Sequence, residues 1–246
     1  MVPNGPLAAT SPLSSGAGAA RVPPAARDGD NRLTDMLKEW LRRGWALRLP
    51  PGMSGHVALT FDDGPDPDTT PQLLAALASL DIVSTHFVVG SKAAAHPHLL
   101  TEITKRGHLL ANHGFDHTSF FWHGRHRQRR SIEDTHRVVY EVNACVMRWF
   151  RPPFGQFNPW TKSILDDLGY HGVLWSVIAR DWEPTSAEEL LSRLTSRLHE
   201  GAIVVLHDGH PTTQQVIELL PRLAEEVARR GWRFTVLPTS HAECSP

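Results

Sequence analysis

Cysteine, tyrosine and methionine are scarce in this chain: two, two and four among 246 residues. The cysteines are Cys145, in an apolar helical stretch, and Cys244, in the polar C-terminal tail. Two cysteines exclude a disulfide-rich scaffold. They neither require nor exclude one bridge, and the simpler expectation is a small buried hydrophobe plus a tail thiol. No apolar run is long enough to cross a bilayer. The N-terminus lacks a positive segment followed by a continuous apolar one, so a cytoplasmic location is expected. An excess of either charge is also missing. With a net charge of −1, the chain is not built to attract nucleic acid or an anionic membrane.

What is present is ordinary globular material, with 41% hydrophobic and 21% charged residues, enough in 246 residues for one large α/β domain. Residues 1–27 are rich in Pro, Ala, Gly and Ser and are expected to form a flexible tail. Residues 28–52 are expected to be an amphipathic helical extension. Within it Leu33, Met36, Leu37, Trp40, Leu41 and Trp45 recur at helical spacing over 31–49, a face for packing or self-association, and Pro50-Pro51-Gly52 stops it. From Val57 onward, short β-rich runs alternate with helical stretches. Strands are expected at 57–61, 82–89, 109–112, 149–151, 171–177, 202–206 and 233–237. Helices are expected at 70–79, 97–106, 131–147, 159–168, 186–199 and 213–230. The helix at 131 opens with Ser131-Ile132-Glu133-Asp134, which resembles a capping box. Gly107, Gly169, Gly201 and Gly231 each stand between a helix and the next strand, where a glycine stop belongs. Such βα alternation predicts a parallel sheet, as a barrel or doubly wound, in a domain spanning about 55–240.

Polar residues gather where such sheets build their sites. Asp62-Asp63, His113, Arg151, Asp181 and His207 all fall at or just past the C-terminal ends of predicted strands. Adjacent residues leaving a strand point in different directions, so two neighbouring carboxylates can take two roles. His113 and His117, three residues apart, suit two imidazoles on one divalent cation. With Asp63 they make a two-His, one-carboxylate set that leaves positions for water and substrate. His207 follows the strand 203–206 and is a candidate third ligand or a general acid. Arg151 and Asp181, of opposite charge, are candidates for a pair that holds a catalytic carboxylate. The fifteen histidines make isolated His motifs unremarkable, so only their company gives these weight.

Taken in order, the motifs resemble those of the NodB-type polysaccharide deacetylases, carbohydrate esterase family 4. Thr60-Phe61-Asp62-Asp63-Gly64-Pro65 is similar to the first motif. His113-Gly114-Phe115-Asp116-His117 is similar to the second, and Arg151-Pro152-Pro153-Phe154-Gly155 to the third. Asp181-Trp182 is similar to the end of the fourth, and Leu206-His207 to the fifth. The resemblance implies a distorted (β/α) barrel and hydrolysis of the N-acetyl group of an N-acetylglucosamine-containing saccharide. It implies that Asp63, His113 and His117 hold a divalent metal, most often zinc, with cobalt or nickel as alternatives. Asp62 is then the general base toward water, and the backbone N–H of Phe154 helps stabilise the oxyanion. His207 protonates the leaving amine, Arg151 orients Asp62, and Asp181 fixes Arg151. Trp182 and Leu206 line the acetyl-methyl pocket.

Three positions depart from the family pattern. Gly114 replaces the usual Ser or Thr, Phe154 the usual Tyr, and Ile178 the first Asp of the fourth motif. None is a ligand, the base or the acid, so an active enzyme with altered substrate preference is expected. A second expectation concerns 123–130, a basic stretch carrying Arg125, Arg127, Arg129 and Arg130. As a loop beside the second motif, it is a candidate site for an anionic part of the substrate. The competing readings are an amidohydrolase acting on a small intracellular N-acylated or cyclic-amide metabolite, and a non-catalytic carbohydrate-binding module.

Overall fold

The computed structural model describes Met1 and residues 44–239; the tail and the residues Leu33 to Leu41 of the expected helical face lie outside them. In chain order the elements are β1 (His56–Asp62), α1 (Thr70–Ser79), β2 (Thr85–Val88), α2 (Gly90–Ala95), α3 (Pro97–Lys105) and β3 (Leu109–Asn112). A 3-10 turn (Phe120–Trp122), α4 (Arg125–Asn143), β4 (Trp149–Phe150), a second 3-10 turn (Pro153–Gly155), α5 (Pro159–Leu168) and β5 (His171–Gly172) follow. The last are β6 (Val177–Ile178), α6 (Ala187–Thr195), β7 (Ile203–His207), α7 (Thr213–Arg229) and β8 (Arg233–Thr235).

The strands are parallel and ordered β5-β4-β3-β2-β1-β7-β6. β8 pairs with the first half of β1, at His56–Ala58, and β2 with the second half, at Thr60–Asp62. β5 and β6 are consecutive in the chain yet stand at opposite ends of this order, so the sheet curls back on itself as a distorted barrel. This curl is why the expected strand over 171–177 is two. The Val173 N–H still donates to Phe150 O, whereas Ser176 N–H donates to Ile203 O, on the other side of the gap.

Residues 45–49 are not helical, contrary to expectation. Ala46 bridges Val173 and Arg48 bridges Ala202, with Ala46 N–H donating to Gly172 O and Leu49 N–H to Gly201 O. Unpaired backbone groups of a sheet edge are stronger partners for this segment than its own helical spacing. Trp45, expected on the helical face, instead packs on Phe157 with ring centroids 4.3 Å apart.

Two apolar layers follow from the period of two along a strand. Val57, Leu59 and Phe61 of β1 and Val204 and Leu206 of β7 face α1, α6 and α7, where Leu73, Leu190 and Leu223 are buried. The alternate residues, Ala58 and Ile203, face a second core with Phe87, Trp149 and Phe150. Further along, that same inward register carries Thr60 and Asp62 to the rim. α5 shows the local rules clearly. Pro159 stands in its first turn, Asn158 caps it by accepting Trp160 N–H, and Gly169 ends it at φ +72°.

α4 begins at Arg125, six residues before the expected Ser131 start. Gly124 is its N-cap and supplies no side-chain bond. Ser131 instead accepts the Phe115 N–H through its hydroxyl at 2.8 Å. Cys145 is disulfide-bonded, which overturns the expected pair of free thiols; the other cysteine, Cys244, lies outside the described residues. Among the described residues, no helix is long and apolar enough to cross a membrane.

Candidate active site

The C-terminal ends of β1, β3, β4, β6 and β7 converge on one cleft of about 720 Å³. Asp62 is the last residue of β1, in register with Phe87 of β2 and His207 of β7. Its Oδ1 accepts from Arg151 Nη1 at 2.6 Å. Arg151 is fully buried. It also donates to Thr60 Oγ1 and to the Leu174 carbonyl, each at 2.8 Å, and its guanidinium carbon lies 4.1 Å from the centre of the Phe87 ring. Burial pulls the Arg151 pKa down, and the Asp62 charge and hydrogen bond oppose that. Arg151 is therefore the direct ion-pair partner of Asp62.

Asp63 takes φ +74°, an uncommon conformation for a residue with a side chain but one that aspartate tolerates. Its carbonyl accepts from Lys92 Nζ at 2.8 Å. Asp63 Oδ1 lies 2.9 Å from His117 Nε2 and 3.3 Å from His113 Nε2. The same oxygen is buried and has no properly directed hydrogen bond. One potential ligand atom from each of the three residues lies within 4.8 Å of the other two. Burial alone would raise the Asp63 pKa; interactions with His113, His117 and His210 outweigh it and hold the carboxyl well below the usual carboxylate range. His113 Nδ1 faces the Arg151 carbonyl at 2.8 Å. A carbonyl there requires Nδ1 to carry a proton, so in a neutral ring Nε2 is the nitrogen free to ligate a metal. Asp63, His113 and His117 are thus the described residues grouped as a metal site would be.

Across the cleft stands His207. Its Nδ1 is 2.9 Å from Asp181 Oδ1, and its backbone N–H donates to Asp181 Oδ2 at 2.8 Å. This corrects the expected Arg151–Asp181 pair: Asp181 holds the histidine, not the arginine. The two supports are divided, basic Arg151 at Asp62 and acidic Asp181 at His207, and β6, which Asp181 follows, is the neighbour of β7. Burial would lower the His207 pKa, but the Asp181 hydrogen bond and charge, with Asp62 and Asp63 behind them, raise it. Trp182 lines the cleft and meets the His207 ring edge-on, with centroids 5.1 Å apart. Leu206 does not line it. The alternation of β7 turns Leu206 into the outer core, and Val205 faces the cleft with Ile178 and Trp175.

Phe154 lines the cleft mouth, 61% exposed, at φ +61°. Its ring packs on His117 with centroids 4.6 Å apart. Gly114 is at φ +77°, and a Cβ there would lie 3.2 Å from both Phe120 and Ser131 Oγ. The hydroxyl absent from position 114 has a neighbour on α4 in its place.

The basic stretch is not a loop over the cleft. Arg125, Arg127, Arg129 and Arg130 occupy the first turns of α4, and none of the four lines the cleft. Arg125 and Arg129 pair with Asp167 at 3.0 and 2.6 Å, and Arg127 with Asp116 at 3.2 Å. An anion there would have to displace carboxylates already present.

Two residues that sequence reasoning passed over complete the site. His210 Nε2 lies 2.9 Å from Asp63 Oδ2, on the carboxylate oxygen turned away from His113 and His117. Its position three residues past His207 was the available signal. Asp208 is fully buried and accepts from Thr69 Oγ1 at 2.6 Å and from the Thr70 hydroxyl. A Cβ at Gly64 would come within 2.7 Å of Asp208 Oδ2, so the glycine after the aspartate pair lets the β1 and β7 loops touch.

Comparison with known proteins agrees with this architecture. The family described as polysaccharide deacetylase matches residues 51–173. The chain is 29% identical to a peptidoglycan-N-acetylglucosamine deacetylase of Bacillus cereus over 208 residues, 81% of this chain and 94% of the relative. It is 31% identical to a chitooligosaccharide deacetylase of Sinorhizobium fredii over 196 residues, 75% of this chain and 91% of the relative. Among solved structures, the family 4 carbohydrate esterase from Streptomyces lividans in complex with acetate superposes with a TM-score of 0.70 at 29% identity, covering 77% of this chain and 96% of that one. With the five motifs converging on one rim of a curled parallel sheet, the chain belongs to the polysaccharide deacetylase family, the NodB-type enzymes of carbohydrate esterase family 4.

Proposed function

We propose that this protein hydrolyses the N-acetyl group of an N-acetylglucosamine-containing saccharide, releasing acetate and a free amine, and that it needs a divalent metal to do so. The observation that carries the reading is the pairing of two separately supported groups, Asp62 on Arg151 and His207 on Asp181, on either side of Asp63, His113 and His117. The relatives are named for deacetylation of such sugars, and the Streptomyces lividans structure holds acetate, the product of the reaction.

The residues fit the metal. One carboxylate and two imidazoles suit zinc, with cobalt or nickel compatible, and the buried Asp63 Oδ1 without a directed hydrogen bond is the atom such a cation would satisfy. Bound by Asp63, His113 and His117, it supplies Lewis acidity toward water and the acetamide carbonyl. The chain's own groups do the rest. Asp62, oriented by Arg151, accepts the proton of the attacking water. The Phe154 backbone N–H is assigned to the developing oxyanion. His207, charged through Asp181, gives its proton to the departing nitrogen, without which an amine is a poor leaving group. Trp182, Ile178 and Val205 surround the acetyl methyl. The disulfide at Cys145 fits an oxidising compartment better than the cytoplasm.

Acetate release from N-acetylglucosamine oligomers tests the reading. Chelation should abolish it, zinc, cobalt or nickel should restore it, and Asp62→Asn should lower kcat by about 10²-fold or more. Full activity after chelation, or in Asp62→Asn, would overturn the mechanism.

A further inference from the structure

Some of the most exposed aromatic side chains of the molecule lie beside the second motif. Trp122 is 79% exposed and Phe121 and Trp160 are each 52% exposed. Single exposed apolar residues are ordinary, but clustered ones mark a binding surface. Phe121 and Trp122 meet edge to face with centroids 4.9 Å apart. They are held rigidly from beneath. Phe120, in the same 3-10 turn, is fully buried and packs on Phe150. The Asn158 amide donates to the carbonyls of Phe120, Phe121 and His123 at 3.0–3.1 Å. The buried Gln128 amide donates to the carbonyls of Phe120 and His123 at 3.0 and 2.7 Å. Asn158 Oδ1 also accepts the backbone N–H of Trp160 at 3.1 Å, so the residue carrying the third ring starts from the same anchor.

This ridge is joined by one hydrogen bond to the turn at the cleft mouth. Ser119 Oγ donates to Gln156 Oε1 at 2.6 Å, tying the ridge to the turn that presents Phe154 at the cleft mouth. Trp122 is five residues from His117, so the chain can separate their Cα atoms by at most about 18 Å, a span of a few sugar rings.

We infer that Phe121, Trp122 and Trp160 form a stacking platform for a neutral saccharide chain running out of the cleft; this rests on the deacetylase reading above. Phe121 and Trp122 stand at 85° to each other, so each ring offers its own face to the C–H face of a different pyranose, and the fixed backbone spares the ordering cost of binding. An anionic bilayer would also take exposed tryptophan beside arginine. Here three of the four neighbouring arginines are already paired with Asp167 and Asp116, so the charge such a surface needs is spent within the protein.

Acetate release should be compared on the di- and hexasaccharide of N-acetylglucosamine for the full chain and for Phe121→Ala, Trp122→Ala and Trp122→Tyr. A lost stacking contact corresponds to about a three- to tenfold rise in KM for the hexasaccharide. The disaccharide kinetics and the hexasaccharide kcat should not change, and Trp122→Tyr should recover most of the loss. Equal changes on both lengths, or none on either, would overturn the platform. So would Trp122-dependent sedimentation with phosphatidylglycerol vesicles while hexasaccharide kinetics stay unchanged. If the unsubstituted chain released no acetate, the deacetylase reading would fail by itself. Calorimetric hexasaccharide binding, weakened in Trp122→Ala, would still support the platform, and unweakened binding would refute it.

Discussion

Replacing Asp181 by Asn changes one atom's chemistry at the support of His207 and isolates what that carboxylate does. Asp181 is 1% exposed and accepts from both the ring and the backbone of His207, at 2.9 and 2.8 Å. Burial alone would depress the His207 pKa; the Asp181 bond and charge are the leading causes that lift it above its ordinary value. A hydrogen bond to a charged group contributes about 1.5–3 kcal/mol. At about 1.4 kcal/mol per pKa unit, its loss lowers the His207 pKa by roughly one to two units. A general acid works only while protonated, so the alkaline limb of kcat/KM should move to lower pH by about that amount. The acidic limb should stay where it is, because Asp181 contacts His207 and not the Asp62–Arg151 pair. The assay is acetate release from a chito-oligosaccharide at subsaturating concentration across the pH range. An unmoved alkaline limb in Asp181→Asn would refute the dyad, and a shifted acidic limb would restore the Arg151–Asp181 pairing expected from sequence.

Other outcomes follow from the same geometry. His210 holds Asp63 Oδ2 at 2.9 Å and leaves Oδ1 toward His113 and His117, so His210→Ala should weaken zinc binding about 10- to 100-fold in chelator competition; unchanged affinity would remove His210 from the site. His108 and His136 are buried and their pKa values are pushed down to about 4, in each case chiefly by that burial. Their folded values lie below the unfolded value, so their neutral forms contribute full stability above about pH 6.5. That contribution is lost as pH falls from there to about 4, at up to about 3 kcal/mol each. Urea midpoints measured between pH 7.5 and 4 should fall, and should fall less in a His108→Asn, His136→Asn double variant; an equal fall would refute the assignment.

Much of the fold was legible because its signals are local. α1 and α5 begin and end at the expected residues, 70–79 and 159–168, where a proline in the first turn and, for α5, Gly169 mark the bounds. The strands were readable as short β-branched runs between glycines. Most of the misreadings are places where a distant partner decides. Ser131 carries a capping residue's side chain, but its hydroxyl serves Phe115, and Gln128 reaches back to the 120–123 carbonyls as part of the helix. The strand at 171–177 is cut by the closure of the barrel, and residues 45–49 are recruited by the edges that closure leaves. α2, Gly90–Ala95, is too short for its periodicity to register.

The site was legible in its residue types and in most of its groupings, but not in the partner of Asp181. Both Arg151 and His207 are chemically suited to Asp181, and only the adjacency of β6 to β7 selects between them. The aspartate pair shows the limit most sharply. Along β1 the residues at 58, 60 and 62 face inward and those at 57, 59 and 61 face the outer helices. A strand continued by one residue would therefore turn Asp63 away from the site. Its φ of +74° brings it back. Two neighbouring carboxylates thus reach one cleft from different directions, Asp62 from the strand and Asp63 from the turn. The same left-handed backbone recurs at His117, Phe154 and Arg180, at φ +49°, +61° and +59°. Such conformations cost free energy and persist where the surrounding fold over-determines them. Here Lys92 on the Asp63 carbonyl, and Asp208 against Gly64, supply that constraint. The division of labour between Asp62 and Asp63 is therefore a property of one backbone torsion held by its neighbours, which residue identity alone does not encode.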